Sequence, residues 1–526
     1  MKPRLAIFLL LIFIMLSLFA WQPKICFAPD ELFYYKSSQA ISGIKDIYGP
    51  DYYGEKRFQK PPLFYLVVAF FCRIFGANWL SVRLVTIASA VLLLIVTYLL
   101  GLRMFGADRA FFGTGILATT ILFFRFGRIV LPEMMLVFFM TGAFYFAYAG
   151  FQKNRRNLFY LSFCLMGIAS LVKGPVGFIL PAAAILLFSI TSVKKDVPLR
   201  IPWAWGILII IGSNLLWFLP AFLLFGKEFA DHIVNVEIVD RMTREAGGLS
   251  FSQGVYQAFK DVFFYIPVLA IQFLPWSILC PAAMIIGRKN IEKKKFSVQR
   301  RFLIIWMITG FLMFTAVTAK RHHYVLLLFP ALSLYLISFF DLELRHIRRM
   351  FRVLLSLTIG VYFLAVMVFF PYIFMDGVDH LSAELKKALM EEKAAVFASW
   401  RLDPQEIELY IDQPVNVIMG VEFEEYHMIA RRLRNDALPV RRNGVILYLM
   451  IAREGYDKFL EDFLEYTAKT LQRPVTGNEL SRGRRWRKTI RFSEFCGDIR
   501  ANPWNIRKHF NKAFREDVFL VAVREE

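Results

Sequence analysis

The 526-residue chain has five cysteines, Cys26, Cys72, Cys164, Cys280 and Cys496, and no two of them stand in C-x-x-C spacing. That argues against a zinc module and against a disulfide framework. Three of them lie inside apolar runs, where a thiol usually acts as a small hydrophobe. A Cys26–Cys496 pair stays open only if both face an oxidising compartment. No Gly-rich phosphate loop follows a strand-like run, so a nucleotide-sugar site is not expected. There is no low-complexity tract and no clear internal repeat. Acidic residues are the scarcer charge: 42 Asp and Glu against 63 Lys and Arg leave a net +21. No basic, aromatic-laced module accompanies that excess, so nucleic acid is not an expected partner. Basic cytoplasmic loops and anionic lipid head groups account for it.

What the chain has in abundance is apolar length: 57% of residues are hydrophobic and 55 are phenylalanine. Apolar segments run over 4–21, 79–102, 109–124, 132–149, 157–172, 176–192, 202–225, 261–286, 301–318, 322–340 and 350–374. They are too long and too many for buried core helices, which makes this a mainly α, polytopic helical membrane protein of about 11–13 transmembrane helices. The opening "MKPRLAIFLLLIFIMLSLFAW" has the basic start of a signal peptide but no small-x-small cleavage site, so an uncleaved first helix is expected. A shorter run, 62–76, carries Arg73 and opens on Pro61-Pro62, and reads as an interfacial or re-entrant helix.

Basic clusters fall at Lys2 and Arg4, at 153–156, 194–200, 288–301 and 345–352. All are cytoplasmic by the positive-inside rule if 62–76 does not cross. The first 375 residues then form the membrane domain, with outer loops 22–78 and 226–260. Residues 376–526 change composition: 381–400 reads as an amphipathic helix, and "IELYID", "VNVIMG", "GVILYLMIA" and "DVFLVAVRE" read as strands, with helices near 423–434 and 456–471. This is a soluble α/β domain, placed outside because eleven crossings, an odd number, start from a cytoplasmic N-terminus.

Isolated charges, as distinct from the basic clusters, collect on the outer side, and ionisable residues at membrane depth are costly and usually functional. Asp30 and Glu31 precede "LFYY", where Tyr34 stands; they serve equally as a helix N-cap or as a general base and sugar ligand. Lys60 in "QKPP" either snorkels or meets an anion. Lys173 ends an apolar helix before Gly174-Pro175, where the helix dipole alone favours a cation. Arg128 and Glu133 flank a short turn, as an ion pair or as ligands. Lys320, Arg321, His322, His323 and Tyr324 form the densest group; adjacent histidines point apart on a helix, so phosphate and sugar contacts are preferred to a metal. Arg241 and Arg244 lie in a charged loop ending in Gly247-Gly248, which is either solvated or a mobile cover. Several cations facing one acidic pair suit a phosphate leaving group: cations take the charge of the departing phosphate while a carboxylate takes a proton from the incoming hydroxyl.

The ordered motifs "PDELFYY", "FQKPPLFY", "LPEMM", "LVKGPVGFILP", "FFYIPVLAIQFLPWS" and "KRHHYVLLLFPAL" resemble the polyprenyl-phosphate-dependent, C-type integral-membrane glycosyltransferases. The aminoarabinose transferases that modify lipid A are the nearest in pattern, together with the protein O-mannosyltransferases. The resemblance covers most of residues 1–340, and the α/β domain looks like the outer domain of the former. It implies Asp30 as the catalytic carboxylate with Glu31 shaping the site. Lys60, Arg241 and Lys320 would hold the donor phosphate, and Tyr34, Arg128, Glu133, Lys173 and Tyr324 would lie along the substrate. Gln59 and Ile238 stand where the aminoarabinose transferases carry metal-binding Glu and His, so no equivalent metal site and no cofactor are expected. Those enzymes also carry Asp where Glu133 stands, so the sugar need not be the same. The expected partners are an undecaprenyl-phosphate-linked sugar, lipid A or another envelope acceptor, and membrane lipids, at the periplasmic face of a bacterial inner membrane. A flippase or transporter of a lipid-linked sugar is the rival from another class, and a protein O-mannosyltransferase the rival within it.

Overall fold

A computed structural model describes residues 3–18, 20, 30–52, 55–192, 201–233, 263–289, 296–316 and 320–369, together with four strands further on. It divides into two units, Met1–Pro23 with Phe33–Phe363, and Lys24–Leu32 with Leu364–Glu526.

In the first unit the apolar runs become helices α1 (Pro3–Ser17), α4 (Leu63–Phe75), α5 (Trp79–Phe105), α6 (Ala107–Ala118), α7 (Ile121–Phe126), α8 (Glu133–Lys153), α9 (Arg156–Lys173), α10 (Val176–Thr191) and α11 (Trp203–Phe225). After these come α13 (Phe263–Gln272), α14 (Cys280–Lys289), α15 (Ser297–Ala316), α16 (Phe329–Ile337) and α17 (Arg345–Leu364). Short α2 (Asp30–Gln39) and α3 (Ile44–Tyr48), a two-residue hairpin of β1 (Asp51–Tyr52) and β2 (Glu55–Lys56), and α12 (Lys227–Asp231) lie between them. Among the described residues five helices are long and apolar enough to cross a membrane, and a sixth if Phe263–Gln272 and Trp276–Ala283, bent by 106°, count as one span. The chain is an integral membrane protein.

Not every expected segment returns as one helix. The 109–124 run breaks at Thr119-Thr120, where polar side chains satisfy the interrupted ladder: Thr120 Oγ1 accepts from Phe123 N at 3.3 Å, and Thr119 Oγ1 accepts from Trp276 Nε1 at 2.9 Å. Non-helical backbone at membrane depth needs such internal partners. The 322–340 run begins as a 3-10 turn, His322–Leu328, before α16. Helix α4 has 13 residues, short of the roughly 20 a crossing needs. Its Phe64, Tyr65, Val68 and Cys72 face inward, while Phe70 and Ile74 are exposed.

Helix α8 is central, packing on α5, α9 and α10, and α10 in turn on α15. The α9–α10 turn depends on two glycines. Gly174 has φ +79, a conformation that disfavours side chains. A Cβ on Gly177 would run into the Ala169 carbonyl and the Ser170 nitrogen, backbone atoms that cannot swing aside. Gly177→Ala is therefore expected to destabilise by about 1–3 kcal/mol. Gly212→Ala in α11, where nothing lies within 4 Å, is expected to be neutral or to stabilise by up to about 1 kcal/mol. Thermal unfolding in detergent compares the two.

The start of α3 is held by a polar knot, and the segment joining α3 to α4 by an aromatic plug. The Asp46 carboxylate accepts from Ser42 N at 3.1 Å, Ser42 Oγ at 3.0 Å and Gly43 N at 3.0 Å, with Lys56 at 3.4 Å. Partial burial pushes its carboxyl up, but those hydrogen bonds and Lys56 outweigh burial and hold it below the usual range. Phe58 packs with Trp217, Ala221 and Phe229, joining this segment to the ends of α11 and α12.

In the second unit, strands β3 (Ala394–Ala398), β4 (Val415–Val417), β5 (Ile446–Ala452) and β6 (Val518–Val523) form one sheet in the order β4-β3-β5-β6. The first two pairings are parallel, with Val396 opposite Val415 and Tyr448. β6 runs antiparallel to β5, with Tyr448 opposite Ala522. Three of the expected strands are present. The helix expected over 381–400 is corrected in its second half, where "AAVFA" is the strand β3. Paired on both edges, it follows the continuous apolar pattern of a covered parallel strand rather than its alanine content. The expected strand 407–412 and the helices near 423–434 and 456–471 lie outside the described residues.

Candidate active site

Three helix ends meet at one end of the first unit. Glu133 follows Pro132 as the first residue of α8, Lys173 is the last of α9, and His322–Tyr324 open the 3-10 turn after α15. Each charge suits its end, an anion at a helix N-terminus and a cation at a C-terminus. Because α8 and α9 form an antiparallel hairpin, those two ends also face each other.

Lys173 Nζ donates to Glu133 Oε1 at 2.5 Å, and His323 Nε2 lies 3.2 Å from the same oxygen. Glu133 is 4% exposed, and its Oε2 takes no hydrogen bond among the described residues. Lys173 Nζ also lies 5.5 Å from the centre of the Tyr324 ring, against which His323 packs edge-on at 5.1 Å. Phe126 covers both His323 and His322, at 5.2 and 6.0 Å. Of the sequence-derived candidates, the structure thus brings together Glu133, Lys173 and Tyr324.

The others have more varied surroundings. Lys320 Nζ donates to Thr315 O at 2.7 Å and Phe314 O at 3.3 Å, capping the end of α15, and lies 5.8 Å from the Tyr265 ring. Arg128 is 7% exposed, with its guanidinium 4.4 Å over Phe124. Tyr34 packs against Phe64 and Tyr65 at 4.9 and 5.1 Å, fastening α2 to α4. Lys60 is half-buried just before Pro61-Pro62, and Gln59 Oε1 is buried without a hydrogen bond among the described residues. Asp30 begins α2, and Glu31 beside it is fully buried; both belong to the other unit. The side chain of Asp30, and Arg241, Arg244 and Ile238, lie outside the described residues. Among the described residues no group of three or more His, Cys, Asp or Glu is placed to hold a metal ion.

Two residues have surroundings that the sequence alone does not give. His323 reads from sequence as a phosphate or sugar contact rather than a metal ligand, yet it joins the carboxylate of Glu133. Arg83 is fully buried in α5, its Nη1 donating to Ala20 O at 3.1 Å with its guanidinium 4.9 Å over Trp79. A lone arginine in the apolar run 79–102 was the available signal.

The opposite end of the unit carries Arg103, Arg300 and Arg301. Arg103 near the end of α5 reaches Gln152 and Tyr145 of α8, Arg301 of α15 reaches Ser192 after α10, and Arg300 reaches Ser338 after α16. Helix α8 separates the two ends by its 21 residues, about 30 Å of rise.

Comparison with known proteins follows the same lines. Residues 59–219 match the family model described as dolichyl-phosphate-mannose-protein mannosyltransferase. An uncharacterised protein of Aquifex aeolicus (strain VF5) is 28% identical over 347 residues, 65% of this chain and 66% of its own. The undecaprenyl phosphate-alpha-4-amino-4-deoxy-L-arabinose arabinosyl transferase of Shewanella sediminis is 25% identical over 329 residues, 62% of this chain. That match spans only 58% of the relative's length. The crystal structure of ArnT from Cupriavidus metallidurans bound to undecaprenyl phosphate aligns over 100% of this chain and 99% of its own, with TM-score 0.66 and 16% identity. The chain has the fold of the C-type integral-membrane glycosyltransferases. Within that fold, the Glu133 cluster is formed by the first residue of α8, the last residue of α9 and the 3-10 turn after α15.

Proposed function

We propose that the protein is an inverting glycosyltransferase that moves a sugar from undecaprenyl phosphate to lipid A or another cell-envelope acceptor. The observation that carries this reading is the buried Glu133 with Lys173 and His323 gathered on it, set beside Tyr324 at the end of the bundle away from the Arg103 and Arg301 contacts. A membrane protein keeps such charges where they meet a polar ligand. By the positive-inside rule the cluster then faces the periplasm. The Shewanella sediminis relative supports the donor class, since it is an undecaprenyl phosphate-alpha-4-amino-4-deoxy-L-arabinose arabinosyl transferase.

In this reading the acceptor hydroxyl attacks the anomeric carbon and its proton passes to Asp30. The bond from that carbon to the phosphate oxygen breaks, and undecaprenyl phosphate leaves with the electron pair. Lys60, Arg241 and Lys320 take up the phosphate charge, while Tyr34, Arg128, Glu133, Lys173 and Tyr324 line the sugar and Glu31 shapes the site. Residues 376–526 form the outer domain. The match of 59–219 to the mannosyltransferase family model favours one second reading, transfer of mannose to protein.

The test presents purified protein in vesicles with undecaprenyl phosphate charged with aminoarabinose or with mannose, and with lipid A or an acceptor polypeptide. Release of undecaprenyl phosphate together with a glycosylated lipid is the expected result. A glycosylated polypeptide supports the second reading. Movement of intact donor across the vesicle without release would make the protein a transporter.

A further inference from the structure

The arrangement at Glu133 is lopsided. One oxygen, Oε1, has both Lys173 Nζ and His323 Nε2 against it, while Oε2 is buried and takes no hydrogen bond among the described residues. A buried carboxylate oxygen without a donor is costly unless something else supplies one. Lys173 alone would not fix this geometry, because an ammonium is a compact point charge that can ride on either oxygen. A ring nitrogen is directional, and the His323 ring is held from two sides, by Phe126 at 5.2 Å and Tyr324 at 5.1 Å. Neighbouring His322 faces the same phenylalanine and packs edge-on to His323 at 5.5 Å, adding a third wall.

We infer that His323 is a positioning residue. It pins the Glu133 carboxylate by Oε1, so that Oε2 stays directed to accept a hydrogen bond from a sugar hydroxyl of the donor. This rests on the function proposed above, which sets the sugar against Glu133. It assigns His323 no contact with substrate and no proton in the reaction. A single well-oriented acceptor matters because small misplacements of a substrate-holding group cost rate out of proportion to their size.

Three variants test the inference on the full-length protein. His323→Leu removes the donor and keeps an apolar side chain. His323→Gln keeps an N–H donor at a comparable reach. Glu133→Gln removes the carboxylate itself. With the charged donor that the wild type turns over, His323→Leu is expected to lower kcat about 10- to 100-fold, as losing an orienting partner does elsewhere, with KM little changed. His323→Gln should restore most of that loss. Adding His323→Leu to Glu133→Gln should cost little further, since there is then no carboxylate to orient.

A merely structural histidine would lower yield and melting temperature in both His323 variants without splitting kcat from KM, and that result overturns the inference. So does full additivity of the two losses in the double variant. If the wild type releases undecaprenyl phosphate from neither the aminoarabinose nor the mannose donor, the function proposed above falls, and the role of His323 falls with it. If the wild type is active and His323→Leu matches it, the positioning role alone is refuted.

Discussion

Asp30→Asn is expected to lower sugar transfer by roughly 10²- to 10⁴-fold, the span attached to a positioned general base. Binding of undecaprenyl phosphate should be close to wild type. The choice of asparagine separates the two readings of this residue. Asp30 is the first residue of α2, and asparagine serves at a helix start about as well as aspartate does. A residue needed only to start the helix would therefore tolerate the exchange. A residue needed to take a proton would not, because a carboxamide has no comparable basicity at neutral pH. Lys60→Ala should behave differently: a lost phosphate contact weakens donor binding and raises KM, with a smaller fall in kcat if the contact strengthens as charge develops. Measuring kcat and KM for both variants with one donor tests the pair together. Normal turnover in Asp30→Asn removes the proposed base, whatever Lys60 does.

The sequence was most legible where physics acts locally. Long apolar runs could only be helices in a membrane, and the ends of α8 and α9 were marked by Pro132 before Glu133 and by Gly174-Pro175 after Lys173. The alternation of a helical hairpin then puts Glu133 and Lys173 at the same end without further information. Pairing was less legible. Arg128, five positions from Glu133, was the obvious partner in sequence, but the carboxylate takes Lys173 and His323 instead. Those contacts depend on how α9 and the turn after α15 pack on α8, which no short window of sequence encodes. Neutral contacts left still less trace. Nothing in "ILATTILFF" announces that Thr119 receives the Trp276 indole and the Tyr362 hydroxyl, at 2.9 and 3.0 Å, and so stabilises a broken helix. The segment 381–400 misled for the opposite reason: its alanines and charges favour a helix in isolation, and the sheet overrides that preference at Ala394–Ala398.

Lys173→Met should be among the most destabilising single substitutions in the first unit, by about 3–5 kcal/mol, because it leaves Glu133 buried without its cation. Lys56→Ala, which removes an ammonium 3.4 Å from Asp46 in a partly exposed pair, should cost no more than about 1 kcal/mol. The informative case is the double variant Lys173→Met with Glu133→Gln. If the loss arises from a stranded charge, removing that charge must recover much of it, and the melting temperature in detergent should return toward wild type. A double variant no more stable than Lys173→Met would mean that the lysine acts through packing, and the charge account would fail. The expected recovery bears on function. Exchanging a buried ion pair for neutral groups of similar volume is often neutral or even stabilising, so stability alone gives little reason for a membrane protein to keep this one. If the neutral double variant folds well yet transfers no sugar, the pair exists for the ligand rather than for the fold.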